Sequence, residues 1–263
     1  MNADILNQSS NQVASVLEAV RNEALSFADR LHTIQGGLRL QGFDPHAFFE
    51  RAVKEAYEHL QDAFLHSRMC LGRRPDIEDY EIKREFFSDL DCHRKTDIAD
   101  LNIKSAVARA MGSLDALLPS EQAESEVSRQ LAARFNDQFR LENKEVVQRG
   151  GFVVLSYRAS IDSINKKFDK QNNYSHYTNE WLYKQLTVLQ EMVVHFNCST
   201  GNCQPTNIPS YFDLQQSTRL LSRSPKVIDV CGFKLKFGVS RYEFHLSPEF
   251  AEHVSTTISL HTR

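Results

Sequence analysis

Three side chains of metal-binding type, His195, Cys198 and Cys203, fall within nine residues in the stretch "HFNCSTGNCQP". An imidazole and two thiolates are ligands that zinc accepts, but a closed structural zinc site takes four. Cys231, His176, Cys70 and Cys92 are the candidates for the fourth, and the spacing selects none of them. A Cys198–Cys203 disulfide is a second way to use the stretch. The third is a plain helix exit in which Gly201 supplies a left-handed residue. That exit needs no cofactor and is the expectation, with zinc held by His195, Cys198, Cys203 and Cys231 as the alternative.

A second set of residues suits phosphate chemistry. Arg219, Arg223, Lys226, Lys234, Lys236 and Arg241 are interleaved with Phe233, Phe237, Tyr242 and Phe244. Cations neutralise phosphates, and an aromatic ring such as that of Tyr242 can stack on a base. Phe233, Leu235 and Phe237 alternate with Lys234 and Lys236, so a strand here would turn its aromatics to one face and its lysines to the other. The lysine face then stays available to phosphates even where the aromatics belong to a core. DNA or RNA is the expected ligand.

Other constellations lack parts. Asp89, Asp91, Cys92, His93 and Asp97 cluster in sequence, but neighbouring residues of a helix point in different directions, so a solvated junction is expected. His59 and His66 share one helical face without the Glu-x-x-His pairs of a di-metal bundle. Ser163 and Lys166 match S-x-x-K without its companion motifs, and there is no phosphate-binding glycine loop and no G-x-S-x-G elbow. No catalytic residue is assigned, so a non-enzymatic protein is expected and a metal-dependent enzyme is the remaining alternative.

The 263 residues are 41% hydrophobic and 25% charged, ordinary values for a folded chain of one large or two small domains. "MNADILNQSSNQVASV" is not a secretory leader, and no uncharged apolar run reaches the length of a membrane span. Five dispersed cysteines fit buried thiols in a reducing compartment, so a cytoplasmic location away from membranes is expected. Charge divides along the chain: residues 1–148 carry 18 Lys+Arg against 25 Asp+Glu, and residues 149–263 carry 13 against 9. The basic part suits a polyanion. The acidic part, residues 76–91 above all, suits a protein partner.

The elements that would carry these residues follow from apolar periodicity. Val13, Val16, Leu17, Val20, Ala24, Phe27, Leu31 and Ile34 form a helical stripe ending at Gly36-Gly37, a core face or, alternatively, a homodimer seam. Asp44-Pro45 starts a helix to about Ser67. Further helices are expected over 76–89, from Thr96 or Asp97 to Leu118, and from Pro119-Ser120 to Gly150-Gly151. Beyond lie a strand in "FVVLSY", a helix from Thr178 to about Asn197, a short helix in "PSYFDLQQSTRLL", strands in "KVIDVCGFKLKFG" and "SRYEFHL", and a closing helix after Ser247-Pro248-Glu249. The expected fold is α+β and predominantly α-helical: a helical region 1–150, then a smaller basic region 151–263 with a short antiparallel sheet and a closing helix.

Three segments, "RFNDQFRLENKEVVQRGGFVVLSYRAS", "TNEWLYKQLTVLQEMVVHFNCSTGNCQP" and "FKLKFGVSRYEFHLSPEFAEHVSTTI", resemble in order and character an uncharacterised domain family of bacterial plasmids and phages, sometimes found alongside DNA methyltransferase segments. The resemblance covers about the C-terminal 60% of the chain, with Gly238-Val239-Ser240 standing where the family usually turns at Asn-Gly. It implies an accessory protein of a mobile genetic element and supplies no catalytic residues. Two function classes follow: a protein that binds nucleic acid or a nucleic-acid-processing complex, and a protein-binding inhibitor or regulator of a host defence or replication factor.

Overall fold

The computed structural model describes residues 2–33, 44–90, 98–141, 146–158, 176–201, 226–230, 232–237 and 241–261. The chain is α+β and predominantly helical, as its periodicity predicts. It divides into two compact units, residues 1–69 with 74–123, and residues 70–73 with 124–263. No helix among the described residues is long and apolar enough to cross a membrane.

The first unit packs α1 (Asn2–Thr33), α2 (Pro45–Ser67), α3 (Tyr80–Asp89) and α4 (Ile103–Leu117) around a main core, with a smaller cluster of Phe64, Leu114 and Leu118 beside it. Leu17 and Ala24 of α1 are buried and Val13 and Val20 pack beside them, whereas Val16 and Phe27 of the predicted stripe are exposed. Phe49, Val53, Tyr57, Leu60 and Phe64 give α2 a buried face at helical spacing. The Asp44 carboxylate accepts from His46 N, and Asn102 caps α4 by accepting from Ser105 N.

Two elements start later than predicted. The charged helix begins at Tyr80 rather than Asp76; Asp79 stands at its N-cap position, where its Oδ2 accepts the Tyr57 hydroxyl at 2.6 Å rather than a backbone N–H of the first turn. The next helix begins at Ile103 after a 3-10 turn at Ile98–Asp100; its expected start at Thr96 or Asp97 lies outside the described residues. Arg68 ends α2 inside the unit. Its guanidinium lies over Phe64, donates to Leu118 O at 3.1 Å and pairs with Asp115.

The second unit joins α5 (Ala123–Phe139), α6 (His176–Ser199) and α7 (Pro248–His261) to a five-stranded antiparallel sheet. The strands are β1 (Val147–Arg149), β2 (Phe152–Arg158), β3 (Lys226–Val230), β4 (Phe233–Phe237) and β5 (Arg241–Leu246), in the order β1-β2-β5-β4-β3. The helix predicted to continue to Gly150 ends at Phe139, and Val147–Arg149 is a strand instead. Two groups satisfy the end of α5: the Tyr157 hydroxyl donates to Phe139 O at 2.8 Å, and Gln185 Nε2 donates to Gln138 O at 3.1 Å. Gly150 and Gly151, at φ 58° and 81°, then make the tight β1–β2 turn that two left-handed residues favour.

The boundary between units consequently falls at 123/124 and not at 150. Leu131, Phe135 and Phe139 of α5 share a core with Leu155, Tyr157, Leu235, Tyr242 and Phe244 of the sheet. In register, Leu155 pairs with Phe244 and Phe244 with Leu235, so large side chains line one sheet face across three strands.

Candidate functional site

Alternation along each strand sends the intervening residues to the other face. There the register aligns Val154, His245 and Lys234 in one row and Ser156, Glu243 and Lys236 in the next. Lys234 and Lys236 are half-buried, and Lys234 Nζ stands 5.5 Å from the centre of the Phe152 ring. Glu243 sits among basic side chains: His245 Nε2 is 2.9 Å from its Oε2, and Arg149 Nη1 is 3.6 Å from its Oε1. The face is thus basic with an acidic centre.

The predicted nucleic-acid residues are distributed unevenly over this frame. Lys234 and Lys236 lie on the polar face, but Tyr242 lies on the opposite one. Its ring is 3% exposed, stacks on Tyr157 with 5.5 Å between centres, and its hydroxyl donates to Gln185 Oε1 at 2.8 Å. Tyr242 is therefore a core residue and not a surface for base stacking; burial drives its phenol pKa up. Lys226 pairs with Phe237, and Arg241 with Arg158, in the strand register. Arg219 and Arg223 lie outside the described residues.

His195 has partners that its sequence neighbourhood does not reveal. It is 5% exposed on α6, its Nε2 is 3.0 Å from Ser128 Oγ on α5, and its Nδ1 is 2.9 Å from His253 Nε2 on α7. The three helices meet through one relay. Burial first, then the neighbouring His253, His261 and Arg73, push the His195 pKa down to about 4, and burial lowers His253 as well. Both imidazoles are neutral at pH 7, sharing one proton between Nδ1 and Nε2.

Because both His195 nitrogens are engaged, a metal ion at this position would have to break one of these hydrogen bonds. Among the described residues no group of three His, Cys, Asp or Glu side chains is arranged to hold a metal. Cys203 and Cys231 lie outside the described residues, and Cys198 is half-buried near the end of α6. Gly201, at φ 80°, ends the helix as the exit predicts. The order serine, histidine, histidine matches nucleophile, base and orienting group in a hydrolytic triad. Here, however, Ser128 is 6% exposed within α5, so its hydroxyl is enclosed by packing.

The same unit holds a second ionic junction. Glu191 of α6 receives Arg73 at 2.8 Å and Arg134 at 2.9 Å, tying the Cys70–Arg73 turn and α5 to one carboxylate. The turn lies flat on α6 because Gly72, at φ 74°, has no Cβ; one placed there would sit 2.4 Å from Val194 Cγ1. Burial and the nearby Glu124 raise the Cys70 thiol pKa, so its thiol form dominates at neutral pH.

In the first unit, the acidic stretch exposes Asp76, Glu78, Glu81 and Glu85 around Tyr80, which is 72% exposed. Asp89 is committed to Arg109 at 2.8 Å, and Asp91 lies outside the described residues. No protein-family model, curated protein or solved structure matches the chain, so its own residues carry the functional interpretation.

Proposed function

We propose that this chain is a non-enzymatic accessory protein of a plasmid or phage whose second unit holds the phosphate backbone of nucleic acid on the lysine face of its sheet. The observation that carries this is the separation of Lys234 and Lys236 from the aromatic core by strand alternation. The net positive charge of residues 149–263 and the resemblance of the C-terminal segments to a plasmid and phage domain family support it. With Tyr242 buried, contact is to backbone phosphate rather than to stacked bases, which predicts weak sequence preference.

Fluorescence anisotropy with single-stranded DNA, duplex DNA and RNA across a salt series tests this. Affinity should fall as salt rises, and replacing both Lys234 and Lys236 by Gln should flatten the log-log slope by about two, near one counterion per phosphate contact. Absence of salt-sensitive binding to all three nucleic acids would sink the proposal.

A second function, regulation of a protein partner through the acidic helical half, is favoured by Tyr80. A tyrosine 72% exposed amid carboxylates has the makings of an interface anchor facing a basic partner surface. A partner whose capture survives nuclease treatment and is lost on Tyr80→Ala would support it; capture unchanged by that substitution would exclude Tyr80 as the anchor.

A further inference from the structure

The polar face of the sheet carries an imidazole at its acidic centre. His245 of β5 places its Nε2 2.9 Å from Glu243 Oε2. Imidazole is the side chain whose ordinary change of charge falls between about pH 5 and pH 8. Its neighbours come from the strands on either side. Lys234 of β4 and Val154 of β2 stand opposite it in the register, and the Phe152 ring of β2 is 6.3 Å from its ring, centre to centre. Glu243 is flanked in turn by Lys236 of β4, its register partner, and by Arg149 of β1, whose Nη1 is 3.6 Å from its Oε1. His195 and His253 belong to helices that pack against the opposite, aromatic face.

The net charge of this group turns on one proton. With His245 neutral, the Glu243 carboxylate cancels one of the cations Arg149, Lys234 and Lys236. With His245 protonated, imidazolium and carboxylate make a neutral pair, and all of those cations act on a phosphate. The side chains of His245 and Glu243 are only 6% and 12% exposed, so salt screens the pair weakly. A polyanion laid on the face favours the protonated form by the same attraction.

We propose that the His245–Glu243 pair is a proton-operated regulator of the lysine face, so that nucleic acid is held more tightly as pH falls from about 8 to about 6. The regulator rests on the nucleic-acid function proposed above and acts at the same site. Its sign is distinctive, because acid loss of stability through His195 would weaken binding instead.

Anisotropy of rhodamine-labelled single-stranded DNA, duplex DNA and RNA with the full-length chain, at fixed ionic strength across that pH range, tests the proposal. Affinity should rise about fivefold, the scale of one partly screened charge, and the log-log salt slope should steepen by about one. His245→Gln should keep its affinity constant across the range. Glu243→Gln should bind at the alkaline end about fivefold more tightly than the unaltered chain. Circular dichroism checks that both variants keep their helix and strand content. Calorimetry of the unaltered chain near neutral pH, in buffers of different ionisation enthalpy, needs no substitution and should show net proton uptake on binding. Affinity indifferent to pH, a pH response kept in folded His245→Gln, or binding without proton uptake would overturn the regulator and leave nucleic-acid binding in place. Absence of binding at every pH would remove both.

Discussion

The two units bury polarity in different ways. In the first, the buried polar residues among those described are Ser67 and Arg68, and the arginine keeps its charge by lying over Phe64 and donating to Leu118 O and Asp115. In the second, Ser128, Gln185, His195, His245 and Thr257 are buried, and one chain of hydrogen bonds runs through two imidazoles. A guanidinium is charged at every accessible pH, whereas burial beside His253 favours the neutral form of the His195 imidazole. The comparison therefore assigns acid sensitivity to the second unit.

The largest test removes the aromatic centre of that unit. Phe244 is fully buried and lies 5.4 Å from Phe139 and 6.2 Å from Phe233, ring centre to ring centre. Phe244→Ala should cost about 3–5 kcal/mol. Hydrogen exchange should show protection lost in β2, β4 and β5 while α2 and α4 keep theirs; equal loss in both units would mean that they unfold together.

Acidification comes next. The folded His195 pKa of about 4 lies below its ordinary value near 6.5, so the unfolded chain binds the proton more readily throughout that interval. The associated stability is complete above pH 6.5 and is lost as pH falls toward 4, for a total of about 3 kcal/mol. Denaturant midpoints read from second-unit signals should fall over that interval. His195→Gln should lower stability at pH 7 and flatten the pH dependence; an unchanged slope would remove His195 as its source.

The smallest effect belongs to the first unit. Asp44→Ala removes the side-chain acceptor of His46 N at the start of α2 and should cost about 1 kcal/mol. Loss of protection should stay within the first turn of α2, and spread to the second unit would again erase the distinction.

Local patterns foretold most elements. Asp44-Pro45 marked the start of α2, the Phe233/Lys234 alternation marked β4, and Ser247-Pro248-Glu249 marked α7. The failures came where distant residues compete for a local signal. Residues 140–149 have helical composition up to a Gly-Gly pair, yet Val147 to Arg149 pair with β2 because sheet formation satisfies their backbone and frees α5 to end under Tyr157 and Gln185. The charged helix starts at Tyr80 rather than Asp76, and the carboxylate of Asp79 just before it is taken by Tyr57, 22 residues earlier.

The candidate sites divide in the same way. Strand period two separates lysines from aromatics without reference to the rest of the chain, so the polar face of β4 was legible from "FKLKF" alone. Tyr242 follows the same period-two rule, but the core side of β5 became certain only once Tyr157, Phe244 and Gln185 closed around it. His195 stood out in "HFNCSTGNCQP" for its cysteine neighbours, and that neighbourhood does end a helix at Gly201. Its partners are Ser128 and His253, 67 and 58 residues away, each on a different helix. Helical periodicity fixes which way a side chain points along its own axis; which imidazole and which hydroxyl it meets depends on how three helices pack against one sheet, and chain-distant packing of that kind leaves no spacing to read.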